Sequence, residues 1–508
     1  MIELGSLIRV CRQGDLPVYI QIVEQISTLI REGVLCPGVQ IQPSRELARS
    51  LKLHRNTVVA AYEELEAQGW ILVKPRKGCF VSPRMPGTVP APLAQPGQAR
   101  EAGYPVSTGY DIGYEMREEL QVKYPSGAFK YVFNEGFPDV RLTPLNELLR
   151  EYRVIGKRKF ARDYLSYTAK EGSPRLRGEV VRMLRQTRGL NIGIEHVFIS
   201  KGAQMGMYLA ASLLLKPGDS VIVGDPGFFV VTQMFIRLGV NVCRVPVDGE
   251  GIDVDAVEAI CRSTPVRLIY VIPHHHHPTT VTLSALRRLR LLELAKTYRI
   301  AIIEDDFDFD IHYESHPTLP MASRDANGSV IYVGTLTKIL APAIRLGFIV
   351  APANLIALLG QHRYVVDLQG DNLLEEAAAE LLRNGAVERH LNRIRNLYKE
   401  RRDLLCAMLA ERLPGIVSFT VPTGGMCLWV RFNGVDTAGV ALEAQRRGLF
   451  IRDGKRHNPP GADLNAMCIG FASLGLEELR EAATLLIDAT LHTISANVQI
   501  VQLNRQIV

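Results

Sequence analysis

The chain has 508 residues, of which 47% are hydrophobic and 22% charged, enough apolar material for a buried core and too long for one ordinary domain. Its formal net charge of +6 is modest for this length and identifies no partner by itself. The eight cysteines are scattered without a CxxC pair, no apolar run reaches the roughly 20 residues of a membrane span, and the first residues lack a signal-peptide pattern, so we expect a cytoplasmic protein without a disulfide framework or zinc knuckle.

The first eighty residues predict three helices followed by a hairpin. Apolar residues at helical spacing indicate helices over 18–35, 43–53 and 54–70, and Ser44 is the expected cap of the second. Two short apolar runs around a basic turn predict a hairpin over 71–81. This order is typical of a winged helix-turn-helix.

A winged helix places the start of its third helix in the major groove and its hairpin tip along the DNA backbone. The side chains expected to face DNA are therefore His54, Arg55, Asn56 and Thr57 on the helix and Lys74, Arg76 and Lys77 on the hairpin. The alternative is a small helical oligomerisation domain with a solvated basic face.

The order PSRELARSL, RNTVVAAYEELEAQGW and KGCFV between Val18 and Val81 strongly resembles the GntR-type winged helix. The resemblance implies that Ser44, Arg45 and the RNT start of the third helix touch DNA.

Composition changes sharply after this unit. Residues 82–107 are rich in Pro, Gly and Ala without apolar periodicity, which is typical of an extended linker. We predict a DNA-binding domain over 1–81, a linker over 82–125, a large domain over 126–490 and a C-terminal tail over 491–508.

Strands and helices alternate in the large domain. Continuous apolar runs over 266–273 and 299–307 indicate buried strands of a parallel sheet, and 283–298 between them indicates a crossover helix. The prediction is an α/β fold with a mixed, mostly parallel sheet, helices on both faces, and a ligand site at the carboxyl ends of the strands.

Several candidate residues lie at those ends. Gly202, Ala203 and Gln204 open an apolar helix, where backbone N–H groups can bind an anion, although small residues open many helices without binding anything. Phe228 follows a strand and is either a ring-stacking residue or a core aromatic. Asp305 lies just past another apolar strand.

Lys338 is a lysine in small and apolar company, with Thr335, Thr337 and Arg345 close by in sequence. Surface exposure is the usual fate of a lysine. A sheltered lysine, however, has a lowered pKa and forms a Schiff base with an aldehyde. Pyridoxal 5′-phosphate offers an aldehyde and a phosphate, and it needs a carboxylate at its ring nitrogen, which Asp305 can provide.

In order and spacing these segments resemble fold-type I aminotransferases, which have a small C-terminal α+β subdomain. With the winged helix ahead of it, the chain looks like the MocR subgroup of GntR regulators, in which the aminotransferase-like domain is a sensor. The resemblance implies that Lys338 carries the internal aldimine, Asp305 pairs with the ring nitrogen and Phe228 stacks on the ring. It assigns the phosphate to Gly202, Ala203, Gln204, Thr335, Thr337 and Arg345. Tyr167 matches a tyrosine that reaches the phosphate of the other subunit, which implies a head-to-tail homodimer.

Four consecutive histidines stand in PHHHHPTT, residues 273–280. In regular structure they cannot all reach one ion, so we expect no metal, although one or two could bind metal with ligands from elsewhere. By the resemblance this is a turn beside the coenzyme, with His277 near its phenolic oxygen and His275 and His276 lining or supporting the pocket.

Three positions depart from the aminotransferase pattern. Phe307 replaces a common tyrosine, and Thr280 replaces a turn glycine, which predicts a backbone without positive φ there. Cys468 stands where the family has an arginine that grips the substrate carboxylate, which puts ordinary transamination of α-amino acids in doubt.

The leading hypothesis is a transcriptional regulator that binds two DNA half-sites as a homodimer and senses pyridoxal phosphate, an amine or an amino acid through Lys338. One alternative is an active aminotransferase with an accessory DNA-binding module. Another makes the small unit a protein-interaction module.

Overall fold

The computed structural model describes residues 2–12, 16–83, 106–113, 120, 129–314 and 317–507, with side chains described up to 496. The chain divides into two compact units, Met1–Met116 and Arg117–Val508. Most of the predicted linker over 82–125 lies outside the described residues. No helix among the described residues is long and apolar enough to cross a membrane.

The N-terminal unit has the predicted winged-helix elements. They are α1 (Val18–Arg31), β1 (Gln40–Ile41), α2 (Ser44–Ser50), α3 (Arg55–Ala67), β2 (Ile71–Lys74) and β3 (Gly78–Val81). The three strands form an antiparallel sheet in the order β1-β3-β2, so the predicted hairpin is the β2–β3 pair.

The unit has its own hydrophobic core. On α3 the apolar residues at helical spacing are buried: Val58, Ala61, Tyr62 and Leu65. On α1, Ile22, Val23, Ile26 and Ile30 are buried, while Leu29 is only partly buried.

The predicted cap of α2 is wrong. Pro43 holds the cap position with extended backbone, and Ser44 is the first helical residue. Proline fixes φ near the value that a helix start needs and has no N–H to leave unpaired, so the helix begins directly after it.

The large unit contains a mixed eight-stranded sheet and a smaller C-terminal sheet. Its strands are β4 (Tyr131–Val132), β5 (Val197–Ser200), β6 (Ser220–Asp225), β7 (Asn241–Asp248), β8 (Gly251–Ile252), β9 (Val266–Val271), β10 (Ala301–Asp305), β11 (Val330–Thr335), β12 (Gly347–Val350), β13 (Val417–Ser418), β14 (Cys427–Phe432), β15 (Leu449–Phe450) and β16 (Ala466–Gly470). Its helices are α4 (Leu145–Gly156), α5 (Pro174–Arg188), α6 (Ala203–Leu214), α7 (Phe229–Arg237), α8 (Val254–Ser263), α9 (Ala285–Tyr298), α10 (Ala353–Val366), α11 (Asn372–Arg383), α12 (Ala386–Arg412), α13 (Thr437–Arg446) and α14 (Leu476–Ile507).

The large sheet has the order β5-β12-β11-β10-β9-β6-β7-β8. Strands β11, β10, β9, β6 and β7 are parallel to one another, while β12 is antiparallel to β11 and β5, and β8 is antiparallel to β7. Successive side chains of β10 point to opposite faces of the sheet. Ile302 lies in a core cluster with residues of α8 and α9, and Ile303 lies in a cluster with residues of α6, α7 and α10. The predicted α/β fold with helices on both faces is confirmed.

The C-terminal part adds the antiparallel sheet β13-β14-β16 and the parallel pair β15-β4, packed with α12, α13 and α14. This is the predicted small α+β subdomain. Helix α14 continues through the predicted boundary at 490.

A buried polar network fixes the loop that follows β10. The guanidinium of Arg188, at the end of α5, donates to both carboxylate oxygens of Asp310 at 2.9 and 2.6 Å and to the Tyr332 hydroxyl on β11 at 3.2 Å. The Tyr332 hydroxyl donates to Asp306 at 2.8 Å. Charges can be buried in this way because each one has a partner.

Arg188→Leu leaves the Asp310 carboxylate buried without its partner, so we expect it to lower the free energy of unfolding by about 3–5 kcal/mol. Urea denaturation followed by tryptophan fluorescence measures this. Arg262→Leu on α8 is the control, since it removes an exposed pair with Glu258 and should cost less than about 1 kcal/mol. Equal losses in the two variants would contradict the role of the network.

Candidate functional site

Lys338 lies in the turn between β11 and β12 and points into the protein. Its ammonium nitrogen donates to the carbonyl of Gly136 at 2.8 Å and lies 5.0 Å from the Phe137 ring centroid and 5.8 Å from that of Phe307. Burial lowers the pKa of Lys338, which increases the fraction of neutral, nucleophilic amine at neutral pH.

Asp305 ends β10, and one of its carboxylate oxygens is left for a ligand. Oδ2 accepts the hydroxyl proton of Tyr270 at 2.7 Å, whereas the buried Oδ1 has no hydrogen-bond partner among the described residues. Burial raises the pKa of Asp305 to about 7. A buried oxygen without a partner is costly, so a donor at this position would stabilise the carboxylate.

The start of α6 forms a cradle with Arg345. Gly202 caps the helix at φ +81, and a Cβ there would lie 2.6 Å from Nη2 of Arg345. A Cβ on Gly347 would lie 2.6 Å from the carbonyl carbon of Gly202. Two glycines therefore let a guanidinium and a helix N-terminus come together, and both favour an anion. Ala203 is half-buried and Gln204 exposed in this first turn.

Thr335 and Thr337 use their hydroxyls inside the loop. Thr335 donates to the carbonyl of Leu346 at 3.0 Å and accepts the backbone N–H of Thr337 at 3.1 Å. Thr337 donates to the carbonyl of Ile344 at 3.0 Å. These bonds shape the loop that carries Lys338, and a phosphate contact from either hydroxyl stays a prediction.

Phe228 and His277 form one wall of the site. Their ring centroids lie 5.4 Å apart with an angle of 87° between the rings. Burial lowers the pKa of His277 well below its usual value, so its ring is neutral at pH 7. Its Nε2 is buried without a partner among the described residues. The structure therefore brings Lys338, Asp305 and His277 together. Asp305 Oδ1 and His277 Nε2 have no hydrogen-bond partner among the described residues.

The other three histidines of the turn have separate partners, as regular geometry requires. The pairs are His274 with Asp306 (2.8 Å), His275 with Asp308 (3.0 Å) and His276 with Thr279 (3.0 Å). These hydrogen bonds hold the turn in place.

His277 nevertheless lies near other side chains of the types that can bind a metal ion. Its ligand atom and those of Cys427 and Cys468 lie within 4.8 Å of one another, and it forms a similar group with Glu135 and His457. That the site needs no metal stays a prediction.

The prediction for Thr280 is wrong, since its φ is +62. The turn is closed by hydrogen bonds from the N–H of Thr280 to the carbonyl of His276 and from the N–H of His276 to the carbonyl of Val281. Tertiary hydrogen bonding thus holds a threonine in a conformation that glycine adopts more easily.

A small cleft that opens to solvent lies beside Lys338. It is lined by Glu135, Gly136, His275, His277, Thr280, Phe307, Asp308, Gly425, Met426 and Cys427. Cys468 on β16 is buried next to Cys427 on β14, and both the contact with the Cys427 thiol and burial raise the pKa of Cys468 well above its usual value. At the position where the resemblance implies an arginine, therefore, the chain presents a neutral thiol.

Sequence reasoning did not identify Gly136, Tyr270, Glu135 and Asp308. Tyr270 is placed by the parallel pairing of β9 with β10, and a tyrosine near the end of the preceding strand was the available signal. Gly136 and Glu135 come from a segment far from Lys338 in sequence, and no pattern marks them.

Tyr167 does not join this group in the single chain. It is 80% exposed, and its contact with a partner subunit stays a prediction.

The predicted DNA-contact residues lie on the surface of the N-terminal unit. His54 caps α3 by accepting the N–H of Asn56 at 3.3 Å, and its neighbours continue the exposed first turn. His54, Arg45, Arg55, Asn56, Lys74, Arg76 and Lys77 are exposed, while Ser44 and Thr57 are half-buried. Among the described residues, none of the basic side chains Arg45, Arg55, Lys74, Arg76 and Lys77 has an ion-pair partner, so their charges are available to phosphates.

Comparisons with known proteins match both units. The model for aminotransferase class I and II covers residues 140–465 and that for bacterial regulatory proteins of the gntR family covers residues 18–81. The probable rhizopine catabolism regulatory protein MocR of Rhizobium meliloti is 28% identical over 94% of this chain and 95% of its own length. Aromatic-amino-acid aminotransferase 1 of Thermococcus litoralis is 30% identical over 72% of this chain and 89% of its own.

Among solved structures, the α-aminoadipate aminotransferase LysN of Thermus thermophilus, complexed with N-(5′-phosphopyridoxyl)-L-leucine, is 26% identical to this chain with a TM-score of 0.67. The match covers 73% of this chain and 94% of the LysN chain. The large unit therefore has the fold of an aminotransferase that was solved with a coenzyme adduct.

Gly202→Ala places a methyl group against Arg345, so we expect it to weaken binding of pyridoxal 5′-phosphate by about tenfold or more, the cost of a displaced charge-assisted bond. Gly218→Ala is the matched control, because Gly218 has φ +89 but nothing within 4 Å of its added Cβ. Titrating coenzyme-free protein and following absorbance compares the two. Equal affinities would contradict a phosphate cradle formed with Arg345.

Proposed function

Because the chain belongs to the aminotransferase class I and II family and carries a gntR-type helix-turn-helix ahead of that domain, the arrangement of the MocR subgroup, we propose that it is a transcriptional regulator. In this proposal the small unit binds DNA, and the large unit binds pyridoxal 5′-phosphate at Lys338 and senses the coenzyme, an amine or an amino acid.

One observation carries the proposal. The chain combines two features: exposed basic side chains without ion-pair partners among the described residues, at the start of α3 and the tip of the hairpin, and a buried lysine, Lys338, in the large unit. The MocR relative, itself named a regulatory protein, matches across both units. A protein-interaction role for the small unit does not explain why its basic side chains have no acidic partners among the described residues.

The side chains of the large unit suit pyridoxal 5′-phosphate. Lys338 offers a buried amine, Asp305 Oδ1 lacks the donor that a protonated ring nitrogen would supply, and Arg345 lies against the helix start that would receive the phosphate. When bound, the coenzyme supplies an aldehyde for amines and a ring that accepts electrons.

The chain's own groups prepare this site. The Gly136 carbonyl orients the Lys338 nitrogen, and burial keeps part of the lysine population neutral. The Tyr270 hydroxyl fixes the Asp305 carboxylate, with its free oxygen held for a donor. Phe307 and Phe137 cover the amine and limit its access to water.

An active aminotransferase is the weaker alternative. An aminotransferase needs its substrate carboxylate gripped in a fixed orientation, and Cys468 gives a neutral thiol where the family has an arginine. The curated relatives that match both units include regulators, which favours sensing over sustained turnover.

The proposed regulator is a cytoplasmic head-to-tail homodimer that presents two winged helices to two half-sites. The exposure of Tyr167 suits a contact with the partner's coenzyme site. An effector changes DNA binding only if it binds the DNA-competent and the incompetent arrangements with different affinity.

Arg55→Ala removes one phosphate-seeking cation from the start of α3, so we expect weaker DNA binding and a decrease of about 1 in the slope of log K against log salt. Fluorescence anisotropy with a duplex selected from a random-sequence pool measures both. Arg446→Ala on α13 is the charge-matched control and should leave the slope unchanged. An unchanged slope in Arg55→Ala would contradict the proposed interface.

Lys338→Ala removes the amine that attaches the coenzyme, so we expect the yellow absorption of the purified protein to disappear while binding to bare DNA largely survives. Absorbance after dialysis and anisotropy on the same preparation test both parts. Lys399→Ala, at an exposed position on α12, should keep its colour. A yellow Lys338→Ala protein would defeat the assignment of this lysine.

A further inference from the structure

The cavity beside Lys338 is acidic. Two of the residues that line it, Glu135 and Asp308, carry carboxylates, and none is a lysine or an arginine. A ligand carboxylate in this cavity would lose its hydration without meeting a cation on the lining, which is costly. A ligand ammonium group would meet acceptors instead.

The two carboxylates are not equivalent. Glu135 is already paired with the guanidinium of Arg456, and His457 lies 3.5 Å from it. Asp308, whose side chain is 3% exposed, is bonded to the imidazole of His275 at 3.0 Å, a group that carries charge only when protonated. The negative charge of Asp308 is therefore less completely neutralised than that of Glu135.

Asp308 also acts on a nitrogen at the centre of the site. It is the acidic group that most strongly favours the charged form of Lys338, ahead of Asp305. Asp308 can therefore act on a further cation that a ligand brings to this part of the site.

One side of the site is formed by two buried thiols, Cys427 and Cys468, and contact between them helps to keep Cys468 neutral. The resemblance to the aminotransferases implies an arginine at the position of Cys468. The cavity also contains His277, which is 8% exposed and whose Nε2 has no partner among the described residues. This buried nitrogen is available to a polar group of the coenzyme or of a ligand.

We propose that the effector of this protein is a short diamine, a primary amine whose far end is a second ammonium group received by Asp308. The inference rests on the function proposed above and narrows it from amines and amino acids to ligands without a carboxylate. One end reaches the coenzyme at Lys338, and the other forms a charged hydrogen bond in a buried place, where such a bond is strongest.

The test compares 1,4-diaminobutane with 4-aminobutanoate, which share an amine and a similar chain and differ in the charge of the far end. Isothermal titration of the full-length, coenzyme-loaded protein gives both affinities, and coenzyme absorbance reports whether the ligand amine displaces Lys338 from the coenzyme. We expect the diamine to bind at least about tenfold more tightly. Equal or tighter binding of 4-aminobutanoate overturns the proposal, as does the absence of diamine binding.

Asp308→Asn keeps the shape of the side chain and removes its charge, so it should lower diamine affinity by about tenfold or more and leave the affinity for 4-aminobutanoate unchanged or higher. Asp255→Asn, at an exposed position on α8, is the matched control and should bind both ligands like the unsubstituted protein. Coenzyme absorbance and thermal unfolding establish that each variant is folded. An unchanged preference in folded Asp308→Asn overturns the role of Asp308.

Cys468→Arg supplies the missing cation and should shift the preference towards 4-aminobutanoate by about tenfold or more. A folded variant with an unchanged preference speaks against the charge argument. Failure of this inference is separable from failure of the proposed function: loss of the diamine preference with intact yellow colour and DNA binding defeats only the specificity, whereas a colourless unsubstituted protein defeats the sensor itself.

Discussion

The large domain depends on burying an amine and a carboxylate at the carboxyl ends of the central parallel strands of its sheet. Burial removes the water that hydrates such groups, and hydrogen bonds from the protein replace only part of that hydration. Lys338 has one carbonyl partner, Gly136, and Asp305 has one hydroxyl partner, Tyr270, with its second oxygen unpaired among the described residues. Because neither group is fully satisfied by the chain, the arrangement favours a ligand that brings a donor for Asp305 and an aldehyde for Lys338.

The histidine turn makes sense within the same constraint. The segment after β10 is rich in aspartate, and His274 and His275 each bond one of these carboxylates, Asp306 and Asp308. Arg188 binds another, Asp310, from α5. Two of the consecutive histidines thus support an acidic loop beside the coenzyme site, and the buried Nε2 of His277 has no partner among the described residues. Half of the motif that first suggested metal binding, His274 and His275, serves as partners of carboxylates.

Sequence patterns predicted those features that depend on residues close together in the chain. The third helix of the small unit and its buried face followed from periodicity, and Lys338 and Asp305 followed from polar residues at strand ends. Errors arose where another effect was stronger: Pro43 takes the cap position expected of Ser44, and hydrogen bonds across a turn hold Thr280 at a positive φ. Tyr270, Gly136 and Asp308 could not be found in this way, because strand register and distant segments bring them to the lysine.

The thiol of Cys468 affects catalysis and sensing differently. Turnover needs a substrate held by several groups in one reactive orientation, which contributes a large part of an enzyme's rate. Sensing needs only that a ligand bind two arrangements of the protein with different free energy. Replacing a gripping arginine with a neutral thiol removes orientation for carboxylate substrates and leaves amine attack at the coenzyme intact. The same buried lysine can therefore serve a regulator well in a site that would make a poor aminotransferase.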